Sequence, residues 1–339
     1  MISIYDLAKL TGVSATTVSN VLNGRGRFSE KTRKLVLDAA AEHGYVTNLA
    51  ARGLHSGISH TVGIITTDVS NEYFSSIVLE IERLMRLSGY TSFICNTLYD
   101  SRQLEEYIRE LRRHNCDGIF IVGGSGPKDI ASNSTLPHVF IDFTSSSTSE
   151  NSVSIGTDLE KATHDQVDTL ARHGCNRIML LLLDALRAFR PEHPIYEGYR
   201  AGLEAHGLEF DPDLEIIGPH LKKSRVESRE LVLGALDRGI EFDGIVATGD
   251  RQALGAVEAL QERGLIPGKD VLVIGLDNSV YSQLSAPRIS TVERDTDEMA
   301  RLGAVAMLDL VAGREPDSRR IVVPYRVIER ETTLGKADR

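Results

Sequence analysis

Apolar residues recur along this chain in two rhythms, and the change falls near residue 60. Before it, Ile4, Leu7 and Ala8 stand at helical spacing until Gly12 interrupts them, and Ser14 is placed to cap a second helix. Val13 ahead of that cap and Val18 inside the helix have the spacing of a hydrophobic staple. A third helix is expected to start near Ser29, to bury Leu35, Val36 and Ala39, and to close at Gly44. Three short helices around so few apolar side chains make a small core.

From Val62 the texture becomes short apolar runs separated by amphipathic stretches. One series comprises 62–66 (VGIIT), 90–95 (YTSFIC), 117–122 (DGIFIV) and 138–142 (HVFID). A second comprises 177–183 (RIMLLLL), 214–218 (LEIIG), 243–248 (DGIVAT) and 270–277 (DVLVIGLD). Helical patterns lie between them at 73–88, 102–114, 158–173, 226–238 and 251–263. Strands buried on both faces and alternating with helices imply parallel, doubly wound sheets, and two series in tandem imply two α/β lobes. The cleft between lobes, where strand carboxyl ends face each other, is the expected ligand site. Between the two rhythms, 48–60 (NLAARGLHSGISH) offers Asn48 as the cap of a short helix through Leu54. With Gly53 inside it, so short a helix is mostly unfolded in water and folds only when something holds it.

Charge separates the two parts. Residues 1–60 hold seven Lys and Arg against four Asp and Glu, a net of +3, while the remaining 279 hold the rest of the 38 bases and 48 acids, a net of −13. A basic head on an acidic body gives the head its own task, because phosphate attraction needs local positive charge. Cys95, Cys116 and Cys175 are scattered, with no close pair for a metal or redox site, and are read as reduced, mostly buried thiols. No apolar run approaches a membrane span and the first residues lack a signal-peptide layout, so a cytoplasmic protein is expected.

The order IYDLAKLTGVSATTVSNVLNG, SEKTRKLVLDAAAEHGY and NLAARGLHSG resembles the DNA-binding head and hinge of the lactose-repressor (LacI/GalR) family of bacterial transcription regulators. The body resembles that family's periplasmic-binding-protein-like ligand domain at 248–260 (TGDRQALGAVEAL), 264–278 (GLIPGKDVLVIGLDN), 287–295 (PRISTVERD) and 327–330 (VIER). The resemblance implies an N-terminal all-α helix-turn-helix head at 1–46, a hinge helix and linker at 47–60, and an α/β body of two doubly wound parallel-sheet lobes at 61–339. Lobe 1 is expected at about 61–158 and 294–319, lobe 2 at about 159–293 and 320–339.

In a helix-turn-helix the second helix enters the major groove, and its first residues meet base edges. Here these are Ala15, Thr16 and Asn20, flanked by Ser14, Thr17 and Ser19 for phosphates. The helix carries no charge, which is no obstacle, because phosphate contacts from elsewhere supply affinity while base contacts specify. Many family members carry arginine where this chain has Asn20; asparagine pairs best with adenine, so the preferred half-site is expected to differ there. Arg25, Ala51 and Arg52 are further expected DNA contacts, and Leu54 matches the hinge leucine that wedges into the minor groove. The resemblance further implies a homodimer on a near-palindromic operator, repressing carbohydrate-related genes, with a sugar or sugar derivative as effector. No leucine-heptad tail follows residue 327, so a coiled-coil tetramer is not expected.

For the effector, strand-to-helix turns offer Asn71, Tyr73, Phe74, Ser125, Asp142 with Phe143, Asp250 with Arg251, and Asp277. Carboxylates accept from hydroxyls and aromatic rings cover apolar faces, which suits a polyhydroxylated ligand. Singly, each Asp is equally a helix cap or turn residue. One departure stands out: many family members bind the ligand with an arginine where this chain has Ile195, and Arg251, Arg187 and Arg190 are the candidate replacements. No enzyme, cofactor or metal is expected. The first strand-to-helix turn, at 66–74, has no glycine for a dinucleotide, 123–127 (GGSGP) lacks the Lys-Ser/Thr of a phosphate loop, and no HExxH spacing occurs. A periplasmic-type sugar receptor shares the two-lobed body, but the added head speaks against it. A nucleotide-dependent α/β enzyme is the remaining alternative.

Overall fold

A computed structural model of the chain describes residues 2–22, 24, 26–45, 58–124, 135–142, 149–183, 193–218 and 224–335. The chain divides into two compact units, residues 1–60 and 61–339.

The head is three helices, α1 (Ile4–Thr11), α2 (Ala15–Leu22) and α3 (Glu30–Glu42). Ser3 and Asp6 form a capping box: the Ser3 hydroxyl accepts from the Asp6 amide, and the Ser3 amide donates to the Asp6 carboxylate at 2.9 Å. That carboxylate lies below the usual range because the Ser3 hydroxyl and amide both donate to it. Gly12 ends α1 in the left-handed region (φ 68°), where a side chain would be strained. The Thr17 amide donates to Ser14 Oγ at 3.1 Å, so Ser14 caps α2 two residues beyond the turn. Leu7, Val18, Val21, Val36 and Ala40 form the core, with Val13 packed on it as the staple requires. Leu35 is not part of it: it is 46% exposed, and Ala40 takes the inner position one turn after Val36.

The body is two six-stranded sheets. The first runs β1 (Thr61–Thr66), β2 (Thr91–Asn96), β3 (Gly118–Val122), β4 (His138–Ile141), β5 (Ser152–Gly156) and β11 (Arg320–Val322), in spatial order β11-β5-β4-β3-β1-β2. The second runs β6 (Ile178–Leu183), β7 (Glu215–Gly218), β8 (Gly244–Ala247), β9 (Leu272–Leu276), β10 (Ser290–Arg294) and β12 (Tyr325–Ile328), in order β12-β10-β9-β8-β6-β7. The two orders are the same arrangement drawn twice, and every pairing is parallel except β10 with β12.

Helices α4 (Glu72–Leu87), α5 (Ser101–Arg113) and α11 (Thr296–Val311) belong to the first lobe. Helices α6 (Leu159–Arg172), α7 (Pro194–Ala205), α8 (Ser224–Asp237), α9 (Asp250–Glu262), α10 (Val280–Leu284) and α12 (Glu331–Leu334) belong to the second. Alternate strand residues face opposite helical layers: Ile64 and Phe120 pack on the α4 and α11 side, Ile65, Ile119 and Ile121 on the α5 side. That double burial is why these strands read as continuous apolar runs. Gly198 lets α7 lie against α6, since a Cβ there would stand 2.1 Å from the Glu160 carbonyl oxygen.

Three expectations are corrected. The resemblance puts residues 320–322 in lobe 2, whereas they pair with β5 as an edge strand of the first sheet. The run at 90–95 is not buried on both faces: β2 is an edge strand with Phe93 and Ile94 exposed. The apolar series also misses β5, β10, β11 and β12, which are short and rich in hydroxyl or charged residues. Cys116 and Cys175 are buried and Cys95 half-buried, all as free thiols.

Candidate functional site

In the head, Val18 and Val21 turn inward and fix the rotation of α2, which leaves Thr16 and Asn20 exposed. Ala15, Thr17 and Ser19 are half-buried, and the exposed Ser14 hydroxyl lies 2.9 Å from that of Thr17. Helix α2 carries no charge, while Lys9, Arg27, Lys31, Arg33 and Lys34 are exposed on neighbouring segments. The arrangement separates neutral, hydrogen-bonding side chains on one helix from cations around it. Arg25, Ala51, Arg52 and Leu54 lie outside the described residues.

In the body, strand carboxyl ends of the two sheets face each other. Asp142 follows β4 and Asp277 follows β9, the equivalent strands of the two sheets, and both adopt positive φ (51° and 110°). Each backbone amide donates to the adjacent strand in the same way, Asp142 to the Ile155 carbonyl and Asp277 to that of Val292. Left-handed backbone at non-glycine residues carries strain and clusters at functional sites.

Arg294, the last residue of β10, spans the two lobes. Its Nη1 donates to Asp142, and its Nε donates to Asp277 at 3.1 Å with Nη2 on the same oxygen. Its guanidinium lies over the Tyr73 ring, 3.6 Å from the centroid, and the Tyr73 hydroxyl donates to the second lobe-bridging partner, Asp142, at 2.5 Å. All four side chains are withdrawn from solvent. Burial pushes the Asp277 carboxyl up to about 7 against the opposing charge of Arg294. Burial likewise pushes Asp250 up to about 6 against hydrogen bonds from Thr291 and Ser279, and holds the Tyr73 phenol well above its ordinary range.

A second cross-lobe contact comes from Arg251, at the start of α9. It donates to Glu72 through Nε at 3.0 Å and Nη2 at 3.1 Å, donates to the Ser70 carbonyl, and stands 3.9 Å from Asp68. Asn71 caps α4, its Oδ1 accepting from the Tyr73 amide at 3.0 Å, and Phe74 packs edge-on to Tyr73. Gly123 closes that corner, because a Cβ there would stand 2.3 Å from the Phe74 ring. Ile195 is buried in the second lobe's core with Tyr196 and Tyr199, an apolar residue in an apolar setting. Ser125, Phe143, Arg187 and Arg190 lie outside the described residues. Sequence reasoning therefore named Tyr73, Asp142, Arg251 and Asp277, which the fold gathers, but missed Arg294, Glu72 and Asp68. The signal for Arg294 is an arginine ending β10, the strand beside β9, whose own end carries Asp277.

A helix-turn-helix head joined to a two-lobed α/β body defines a DNA-binding regulator of the bacterial type. Residues 3–48 match the model of bacterial regulatory proteins of the lacI family, and residues 167–333 match the periplasmic binding protein-like domain. The chain is 30% identical over 337 residues to the HTH-type transcriptional regulator RegA of Clostridium saccharobutylicum, covering 98% of this chain and 99% of RegA. It is 26% identical to catabolite control protein A of Staphylococcus epidermidis, over 98% of this chain and 99% of that protein. The chain belongs to the lacI family of bacterial regulatory proteins. In fold it is similar to the lac repressor dimer bound to operator and the anti-inducer ONPF, with a TM-score of 0.83 at 24% identity over 98% of this chain and 99% of that one. No described helix is long and apolar enough to cross a membrane.

Proposed function

We propose that this protein is a cytoplasmic, homodimeric repressor of carbohydrate-related genes that binds a near-palindromic operator and responds to a small effector held between its lobes. The observation that carries the reading is the outer face of α2: Thr16 and Asn20 stand exposed on a helix anchored by Val18 and Val21, with cations on the flanking segments. Thr16, Asn20 and Ala15 then meet base edges, while Ser14, Thr17, Ser19 and Arg25 meet phosphates. Ala51, Arg52 and Leu54 act in a hinge that orders on DNA, with Leu54 as its minor-groove wedge.

One short helix makes few base contacts, so two heads on two-fold DNA are needed. The exposed Phe93, Ile94 and Leu98 on and beside the edge strand β2 supply apolar surface for a second copy. In the cleft, Tyr73, Phe74, Asp142 and Asp277 receive the effector together with Asn71, Ser125 and Phe143, and Arg251 takes part through its lobe-spanning contacts. A coupling of about 1–3 kcal/mol between effector and operator changes DNA affinity roughly 5- to 150-fold. The body acts as a sensor without turnover of its effector.

A mobility-shift titration with DNA from the protein's own promoter region tests this. The expected result is sequence-preferring binding by a dimer that weakens steeply with salt, at a slope of roughly one decade of affinity per decade of salt for each phosphate contact. Equal binding to scrambled DNA, or none at low salt, would overturn the reading.

A further inference from the structure

Arg251 stands in the first turn of α9, where the helix dipole disfavours a cation. Among the described residues, the hydrogen-bond acceptors of its side chain all belong to the other lobe, within residues 68–72: the Glu72 carboxylate and the Ser70 carbonyl, with Asp68 at 3.9 Å. Its own lobe offers the Tyr281 ring, 5.7 Å from the guanidinium. Glu72, by contrast, stands in the first turn of α4, the end of a helix that favours an anion.

The turn that receives the cation is built by the first lobe alone. Asp68 Oδ1 accepts from the Ser70 amide at 2.9 Å and from its hydroxyl at 2.7 Å. The Asn71 amide donates to the Asp68 carbonyl at 3.1 Å, and the Val69 amide to Asn96 at 3.3 Å. Asp68 Oδ2 is left facing Arg251. If the lobes part, Arg251 keeps its unfavourable place on α9 and loses these acceptors, which biases the body toward closure.

Position in the two sheets decides what this contact can do. The chain crosses between lobes at 157–158, 295 and 323–324. Arg294 stands at the second crossing, so its ties to Asp142 and Asp277 lie beside the hinge. Strand β1, ahead of the 68–72 turn, is three strands from β5, and β8, ahead of Arg251, is two from β10. At about 4.8 Å per strand the Arg251 contact is about 10–14 Å out, where an opening of about 15° parts it by about 3 Å, beyond hydrogen-bond reach.

We propose that Arg251 and the 68–72 turn form a rim clasp that shuts the body through the chain's own ion pair, with Arg294 at the hinge. Closure then does not wait for the effector, which enters and leaves only as the clasp parts. The inference rests on the effector site between the lobes proposed above. Glu72 lies between Asn71 and Tyr73, so the clasp also places the turn that carries both.

Pulsed electron spin resonance on the full chain, with no effector added, tests this. Arg102→Cys and Glu230→Cys put spin labels on exposed positions of α5 and α8, the helices that follow the outermost strands β2 and β7. Cys95→Ser removes the half-buried thiol, and labelled chain is diluted into unlabelled so that only intrachain pairs are read. A single distance is expected when Arg251 and Glu72 are both present. In Arg251→Gln a second population, longer by about 5 Å, rises roughly 10-fold or more. Arg251→Gln combined with Glu72→Gln opens no further, and Arg251→Lys, which keeps the charge, stays closed. An unchanged distribution in Arg251→Gln, or a double variant more open than it, overturns the clasp. Glu72→Gln carries the same prediction should Arg251→Gln not accumulate. The readout is independent of the effector: a thermal-shift panel of neutral sugars and sugar phosphates that leaves the protein unmoved counts against the effector reading and leaves the clasp as measured.

Discussion

Removing the Arg294 side chain strikes the body where its two lobes are joined by charge. Arg294→Ala leaves Asp142 and Asp277 facing each other, both withdrawn from water, with Asp250 nearby. Removing one partner of a buried ion pair costs about 3–5 kcal/mol, because the remaining charge stays desolvated and uncompensated. The lost stacking on Tyr73 adds about 1–2 kcal/mol. Protonation works in the opposite direction: burial holds the Asp277 carboxyl up at about 7 even beside Arg294, so without that cation Asp277 takes up a proton near neutral pH and relieves part of the penalty. A net loss of about 3–4 kcal/mol at pH 8 lowers the melting temperature of a body this size by roughly 6–10 °C. The deficit shrinks at pH 5.5, where protons replace the missing cation.

Scanning calorimetry is the suitable assay. The chain has no tryptophan for fluorescence, and head and body are separate units whose transitions calorimetry resolves. A fall of less than about 2 °C at pH 8, or a larger deficit at pH 5.5 than at pH 8, refutes the reasoning.

Three further outcomes are expected. Asn20→Arg, in a binding-site selection, shifts one position of the preferred half-site from adenine toward guanine, and an unchanged half-site refutes the base-contact role. Ser29→Ala removes the hydroxyl that accepts from the Thr32 amide at 3.1 Å and caps α3, so the head loses about 1 kcal/mol in denaturant titration followed by circular dichroism. Asp277→Asn tilts the pH dependence of the body. A carboxyl raised to about 7 binds its proton more tightly folded than unfolded, so its contribution is fully present below pH 4 and is lost as pH rises through 7. Burial lowers His138 and His193 to about 4, so they act oppositely and destabilise the body as pH falls below about 6.5. With Asp277 neutralised the histidines act less opposed, and melting temperature falls more steeply between pH 7 and 5 than in the unmodified protein.

How much of this was legible depended on how many faces each element buries. Central strands such as Gly118–Val122 and Leu272–Leu276 bury both faces, and their unbroken apolar runs announce them. The last two strands on one side of the first sheet, Ser152–Gly156 and Arg320–Val322, are set by pairing, and their serines and arginine carry no such signal. In α3 the consecutive Leu35, Val36 and Leu37 leave the inward face undecided by spacing; packing against Leu7 and Val18 selects Val36 and Ala40. The aspartates of the cleft were visible because strand-end carboxylates stand out after apolar runs. Arg294 was not, because an arginine at the end of a polar strand reads as solvated until the second sheet is laid on the first.

The closing strands have a consequence for the protein during its synthesis. Each sheet is completed by a strand drawn from residues 320–328, β11 for the first and β12 for the second. The head's three helices are complete once residue 42 has emerged, so it can fold early on the ribosome. Neither lobe can do so. Both carry an unpaired sheet edge until residues 320–328 have been translated, and both then become complete within a few residues of each other. A nonsense codon shortly before residue 320 therefore damages two lobes at once while leaving the head able to fold, the combination that yields a DNA-binding fragment without a sensor.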